Sequence, residues 1–393
     1  MRHLVGGVGV TVQFDTARRA LQEDPLLWVV VVGGILAVLV LVGLAVKRLG
    51  RSPGERLVRA LESQESVAVL MHPNPDPDAM ASALSVAKLA DAAGADATIQ
   101  YPGQIRHQEN RAFQTVLNLR FERVEDVSDI AAGTVILVDH NEPRGFPGAE
   151  TVEPWAVIDH HPGGGTGSEF TDVRPDYGAC ASILTEYLET LGWEPVGPGQ
   201  ESGTDRRKTL SSTTATGLVY GILSDTNDLT KGCSPAEFAA SAYLYEGVGG
   251  DRLDRIANPQ VDAEVLDVQA RAINDRDVRN AFAVSDVGEV SNVDAIPQAA
   301  DELVRLEGVT AVVVVGCKGE TLHLSGRSRD DRVHMGKALR TVVEDVPMGS
   351  AGGHARMGGG QVSLEHTGST VPADRVNRRA FHDRLFDAMT GDL

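Results

Sequence analysis

The stretch "VIDHHPGGG", Val157 to Gly165, places an acid and two consecutive histidines where an apolar run gives way to glycine. Taken alone, such a fragment reads as a polar strand end with satisfied imidazoles. Its meaning depends on whether similar groups close other apolar runs. They do. "MHPNPDPDAM" brings His72, Asp76 and Asp78 just after one apolar run and before a helical stretch. "LVDHNEP" sets Asp139 at the end of another, and "GILSDTND" ends a helical run at Asp225. A lone D-x-D after a strand is usually a turn or a helix cap. Four polar fragments in order, each closing an apolar stretch, point instead to one shared pocket. Mixed imidazole and carboxylate donors suit Mn²⁺ or a similar divalent ion better than Mg²⁺.

Around these fragments the pattern alternates. "SVAVLM", "ATIQYP", "GTVILVDH" and "WAVIDHH" read as strands; "DAMASALSVAKLADAAG", "HQENRAFQTVL", "ACASILTEYLETLG" and "TTATGLVYGILSDT" read as helices. Strands alternating with helices predict an α/β domain with a mostly parallel sheet, in which ligands gather at the carboxyl ends of the strands. "GWEPVGPGQESGTDRRK" is a surface loop within it. After a connecting helix near "VDAEVLDVQARAINDRDV", a smaller α+β unit begins, with strands at "AFAVSDVG", "VTAVVVVGCKGETLHLSGRS" and "GGQVSLEH".

Length and charge bound the rest. A chain of 393 residues suggests two domains plus extras. Its net charge of −19, from 36 basic and 55 acidic side chains, argues against a general footprint for long duplex DNA. An acidic, lysine-poor composition also matches a high-salt cytosol. Cys180, Cys233 and Cys317 are far apart and form no CxxC pair, which excludes a cysteine-rich zinc site. "LLWVVVVGGILAVLVLVGLAV", Leu26 to Val46, carries no charge and as a helix spans roughly 30 Å. Basic residues follow it more densely than they precede it, so the positive-inside rule predicts a single-pass membrane protein with its catalytic part in the cytoplasm.

H-x-x-P-D-x-D-A at His72–Ala79, a lone aspartate after a strand at Asp139, D-H-H at 159–161 and D-T at 225–226 together resemble the four motifs of the DHH phosphoesterase superfamily. The resemblance covers roughly Ser66 to Gly247. It continues through "LSGRS" and "GSAGGHARMGGGQ", which resemble the DHH-associated substrate domain. The expected order is an extracytoplasmic tail (1–25), a transmembrane helix (26–46), a juxtamembrane linker and helix (47–65), a DHH catalytic domain (66–247), a linker helix (248–280) and a substrate-binding domain (281–393).

The resemblance implies two divalent metal ions, Mn²⁺ by preference. One would be held by His72, Asp76 and Asp139, and the other by Asp78, Asp139, His160 and Asp225. His161 would face the substrate, with Asp159 behind His160 as an orienting carboxylate. Arg327, Gly352, Gly353 and His354 would bind substrate across an interdomain cleft. Ala351 stands where the family pattern has a further glycine.

The expected function is Mn-dependent phosphodiester hydrolysis of small nucleotides. The substrates would be two- to five-nucleotide RNAs or cyclic di-AMP and its linear product. Alternatives are a phosphoadenosine phosphate phosphatase, a RecJ-type single-strand exonuclease and a non-catalytic membrane-tethered nucleotide sensor. The expected partners are a small nucleotide or short single-stranded oligonucleotide and the membrane, with a homodimer left open.

Overall fold

In the computed structural model, which describes residues 33, 50–200, 208–330, 332–346, 348–364 and 378–391, the apolar runs become the centre of a parallel sheet. Helix α1 (Pro53–Leu61) enters it. Its start is closed by a capping box in which Ser52 Oγ accepts from the Glu55 N–H and Glu55 accepts from the Ser52 N–H. There follow β1 (Ser66–Leu70), α2 (Pro77–Ala93), β2 (Asp96–Pro102), α3 (Gln108–Val116), β3 (Glu122–Val124), β4 (Val135–Val138), β5 (Ala156–Asp159), β6 (Phe170–Val173) and α4 (Cys180–Thr190). A two-strand pair, β7 (Glu194–Pro195) and β8 (Thr209–Leu210), precedes α5 (Ser212–Asp225) and α6 (Pro235–Leu244).

The sheet runs β3-β2-β1-β4-β5-β6 with every neighbouring pair parallel. Strands β4 and β5 are buried along their whole length, and β1 is buried after its first residue. This is why their sequences are apolar runs rather than alternations. The strand order reverses between β1 and β4, and such a reversal opens a crevice at the carboxyl ends of the strands. His72 follows β1, Asp139 follows β4 and Asp159 closes β5, so the polar fragments meet at this reversal.

The chain continues with α7 (Gly250–Ala257), α8 (Ala263–Asn274), β9 (Arg276–Arg279), β10 (Phe282–Glu289), α9 (Ala295–Leu303), β11 (Ala311–Lys318), β12 (Thr321–Ser328), α10 (Met335–Val343), β13 (Ser350–Gly353), β14 (Met357–Ser363) and α11 (Arg378–Thr390). Their sheet runs β13-β14-β12-β11-β10-β9. Only the β10–β11 pair is parallel. Both of its faces are covered. Val312 and Val314 join a core with Val265, Val268 and Ile296 of α8 and α9, while Val313 and Val315 join one with Leu339 of α10 and Phe386 of α11. The run "VVVV" thus feeds two cores by strand alternation. By internal contacts the described residues fall into two units: one reaches Gln104 and resumes over Leu117–Leu253, and the other holds Ile105–Val116 and the chain from Asp254.

One expectation is overturned. Among the described residues no helix is long and apolar enough to cross a membrane, so the single-pass placement at the cell membrane is withdrawn. The longest described helix, α2, has 17 residues, carries Asp78 and Lys88, and buries its apolar face within the first unit. The expected tail and transmembrane helix, residues 1–46, lie outside the described residues except for Gly33.

Leu137 is fully buried in β4. Leu137→Ala is expected to lower unfolding stability by about 2–5 kcal/mol in a urea titration. A loss below about 0.5 kcal/mol would show that β4 is not packed as described.

Candidate metal centre

Asp139 occupies the centre of the site. Its backbone is left-handed, with φ 61°, a conformation uncommon outside glycine and asparagine. That turn at the end of β4 aims the carboxylate across the reversal point. Both carboxylate oxygens are buried, and neither has a hydrogen-bond partner; the same is true of His160 Nε2. A buried carboxylate is costly unless positive charge stands beside it, so the arrangement calls for protonated imidazoles or a cation.

Two sets of donors flank it. On one side His72 Nε2 lies 3.4 Å from Asp76 Oδ2 and 3.4 Å from Asp139 Oδ2. Asp76 is the N-cap of α2: its Oδ1 accepts the Ala79 N–H at 3.0 Å, and its other oxygen is turned toward His72. On the other side His160 Nε2 lies 3.3 Å from Asp139 Oδ1, 3.2 Å from Asp225 Oδ2 and 3.9 Å from Asp78 Oδ2. His72, Asp76 and Asp139 form one group with donor atoms within 4.8 Å of each other, and Asp78, His160 and Asp225 form another. Asp139, His160 and His161 form a third that overlaps them.

The local causes are visible. Asp78 sits in the first turn of α2, and its carboxylate accepts the Cys180 and Ala181 N–H groups, each at 2.7 Å, from the start of α4. Helix α5 passes close beside it because Gly221 has no side chain there; a Cβ would lie 3.1 Å from the Asp78 Cα. That approach carries Asp225, the last residue of α5, to the site.

Charge follows from this packing. Burial opposes a proton on His72, yet the Asp139 and Asp76 carboxylates raise its pKa to about 11. Burial likewise opposes a charge on His160, but Asp139, Asp225 and Asp78 raise it to about 12. Burial works against the Asp139 anion too, and the two imidazoles nevertheless hold it below the usual carboxylate range. Asp78 is pushed well above that range by burial and by the Asp139 and Asp225 charges; Asp225 is raised chiefly by burial. The donors therefore hold protons or a cation.

Asp159 serves a different histidine from the one expected. Its Oδ1 pairs with His161 Nδ1 at 2.9 Å and accepts the His161 N–H at 3.0 Å, while His160 Nδ1 bonds the Tyr177 carbonyl at 3.2 Å. Consecutive side chains at a strand end point to opposite sides, so Asp159 meets His161 rather than His160. The His161 side chain is half exposed. Asn141, absent from the sequence-based set, donates to Asp159 Oδ2 at 2.7 Å. The glycines of "PGGG" permit this contact: a Cβ on Gly165 would lie 1.6 Å from the Asn141 carbonyl oxygen. His140 was also missed. It is buried, its Nδ1 lies 2.9 Å from the Val138 carbonyl oxygen, and burial lowers its pKa to about 4.

Residues 66–222 match the DHH family, N-terminal domain, and residues 279–371 match the DHHA1 domain. The chain belongs to the DHH superfamily. Members of that superfamily are metal-dependent phosphoesterases. The chain is 35% identical over 304 residues to an uncharacterized protein of Methanocaldococcus jannaschii, covering 77% of this chain and 59% of that protein. It is 26% identical over 351 residues to the cyclic-di-AMP phosphodiesterase GdpP of Geobacillus thermodenitrificans, covering 82% and 48%. It is 37% identical over 136 residues to a probable manganese-dependent inorganic pyrophosphatase of an Exiguobacterium strain, covering 33% and 42%. The chain spans about half the length of the curated relatives it matches.

The DHHA1 region places the remaining expected residues. Arg327 lies on β12, mostly buried, and is already paired: its Nε lies 2.5 Å from Asp301 Oδ1 and its Nη1 donates to Ser325 Oγ at 3.1 Å. Gly352 and Gly353 lie on β13 against Gly359 and Gly358 of β14. His354 follows them, exposed, with its N–H on the Met357 carbonyl.

Proton linkage offers a test. The neighbouring carboxylates raise the His72 and His160 pKa values to about 11 and about 12, far above the ordinary imidazole range, so a cation binding between pH 6 and 9 must displace the proton from the imidazole of its own subsite. Affinity for each ion is then expected to rise with pH, by about one log unit per pH unit for the one imidazole proton displaced from its subsite. Calorimetry in buffers of different ionisation enthalpy counts those protons. Binding without proton release would contradict this arrangement.

Proposed function

We propose that this DHH protein is a two-metal, Mn²⁺-dependent phosphodiesterase acting on small nucleotides. The substrates are short oligoribonucleotides or cyclic di-AMP and its linear product. The observation that carries the reading is Asp139, whose two unpartnered buried oxygens face different imidazoles, His72 on one side and His160 on the other. His72 and Asp76 would complete one ion's donor set with Asp139; Asp78, His160 and Asp225 would complete the other. The mixed imidazole and carboxylate donors favour Mn²⁺, as does the likeness to a probable manganese-dependent pyrophosphatase. The likeness to a cyclic-di-AMP phosphodiesterase, over most of this chain, supports a nucleotide diester.

When bound, the cations would polarise the phosphate and lower the pKa of an attacking water. The chain's own residues do the rest. Asp159 engages His161 Nδ1 and raises the imidazole pKa, which leaves Nε2 as the nitrogen open to substrate. Asn141 holds the far oxygen of Asp159 and so fixes the imidazole plane. A protonated His161 can then stabilise charge on the phosphate or give a proton to the leaving oxygen. In the DHHA1 region Arg327 offers a planar guanidinium for a second phosphate or a base, in exchange for its contact with Asp301.

Asp139→Asn and His160→Ala are each expected to lower Mn²⁺-stimulated kcat/KM by a thousandfold or more, on the order of 4 kcal/mol. The assay is hydrolysis of a panel of cyclic di-AMP, its linear product, short oligoribonucleotides, phosphoadenosine phosphate and pyrophosphate. Near-normal turnover by either variant would remove the two-metal proposal. Arg327→Ala is expected to raise KM for the preferred nucleotide about tenfold or more, while barely changing KM for a small chromogenic diester. Equal effects on both would show that Arg327 does not read the nucleotide.

A further inference from the structure

One short backbone segment, residues 174–181, touches two of the three donors on the His160 side. The Tyr177 carbonyl bonds His160 Nδ1 at 3.2 Å, and the Cys180 and Ala181 N–H groups hold both oxygens of Asp78 at 2.7 Å. No residue of this segment is paired with His72, Asp76 or Asp225 in the hydrogen bonds and ion pairs described above.

The segment is itself fastened at two points. At its start Arg174 makes a bidentate pair with Asp172 at 2.9 and 2.8 Å and reaches Glu186 of α4 at 2.8 Å. Tyr177 Oη donates to the same Glu186 oxygen at 2.6 Å and accepts from Arg174 at 3.0 Å. Tyr187 Oη donates to Asp172 at 2.5 Å. In its middle the Gly178 N–H donates to Glu237, a fully buried carboxylate of α6 whose other oxygen accepts from the Ser234 N–H and Oγ. Gly178 has no room for a side chain, since a Cβ would lie 2.6 Å from the Gly232 carbonyl oxygen.

We infer that Arg174 and Glu237 are positioning residues for one of the two cation subsites, the one formed by Asp78, His160 and Asp225. They would act through the backbone of residues 174–181. This deepens the two-metal reading and rests on it. The carbonyl of Tyr177 fixes the His160 ring and selects the tautomer that turns Nε2 to the cation, while the start of α4 fixes the Asp78 carboxylate. If either fastening is loosened, His160 and Asp78 shift together, whereas His72 and Asp76 keep their own local supports.

The test is Mn²⁺ titration of the full chain by calorimetry and electron paramagnetic resonance, with Arg174→Met, Tyr177→Phe and Glu237→Gln. Metal-free melting is measured alongside. Tyr177→Phe keeps the carbonyl and removes only the hydroxyl, so it reports even where Arg174→Met folds poorly. The unsubstituted protein is expected to bind two ions with a spin-coupled signal. The variants are expected to weaken one ion by about 10–100-fold, leave the other within about twofold, and give an uncoupled signal at one equivalent. Equal weakening of both ions, or two ions bound as tightly as before, overturns the positioning role while leaving the two-metal reading intact. Fewer than two ions on the unsubstituted protein overturns both.

Discussion

A buried carboxylate set between two imidazoles is the constraint around which the first unit is arranged. Asp139 stands at the end of β4, where the strand order reverses, in a backbone conformation that costs on the order of 1–2 kcal/mol for a residue with a side chain. A fold keeps such a residue only when its surroundings hold it there. Here the holding comes from β1 and β5 on either side, whose buried residues leave the end of β4 little freedom. The Asp139 N–H is itself fixed by the Ile158 carbonyl of β5. Stiff apolar strands thus set the position of a side chain that is costly to bury.

The electrostatics follow from that placement. Five aspartates and three histidines share a small volume in a chain whose net charge is already −19. Their environments push them apart. Asp139, wedged between two imidazoles, is held anionic, whereas Asp78 and Asp225 are raised by burial and by their neighbours' charge. Asp159 is lowered by its bonds to His161 despite its burial. The separation marks different duties. One carboxylate stays charged through the two imidazoles beside it, others become comfortable anions only beside a cation, and Asp159 is committed to an imidazole.

Much of this was legible in the sequence, for physical reasons. Buried parallel strands must be apolar throughout, so β1, β4 and β5 announce themselves, and residues closing such strands must lie at one end of the sheet. Edge strands carry no such mark. β3 and β6 are short and partly exposed, and "ERV" and "FTDV" do not stand out. Helix α11 was also missed, although Phe381, Leu385, Phe386 and Met389 complete a core of the second unit. Partners distant in sequence were the least readable. Arg327 reads as a free guanidinium until the fold sets Asp301 of α9 against it. Asp159 looks like the companion of His160 until strand alternation turns it toward His161. The apolar run Leu26–Val46 illustrates a separate limit: hydropathy states what a segment could cross, and no described helix supplies a crossing.

The two halves of the site are built by different means. His72 and Asp76 come from one loop and the cap of α2, so their spacing is set within a few residues of chain. Asp78, His160 and Asp225 come from α2, the end of β5 and the end of α5, and two of the three are held by main-chain groups of a fourth segment. Local construction is robust, because a helix cap survives changes elsewhere. Construction through distant backbone is adjustable, because a side chain such as Arg174 can shift a carbonyl without touching a ligand. A pair of cations sharing Asp139 would therefore meet one stiff subsite and one whose geometry depends on packing between β6, α4 and α6. Differences in affinity between the two ions would then arise from the scaffold as well as from the unequal donor sets.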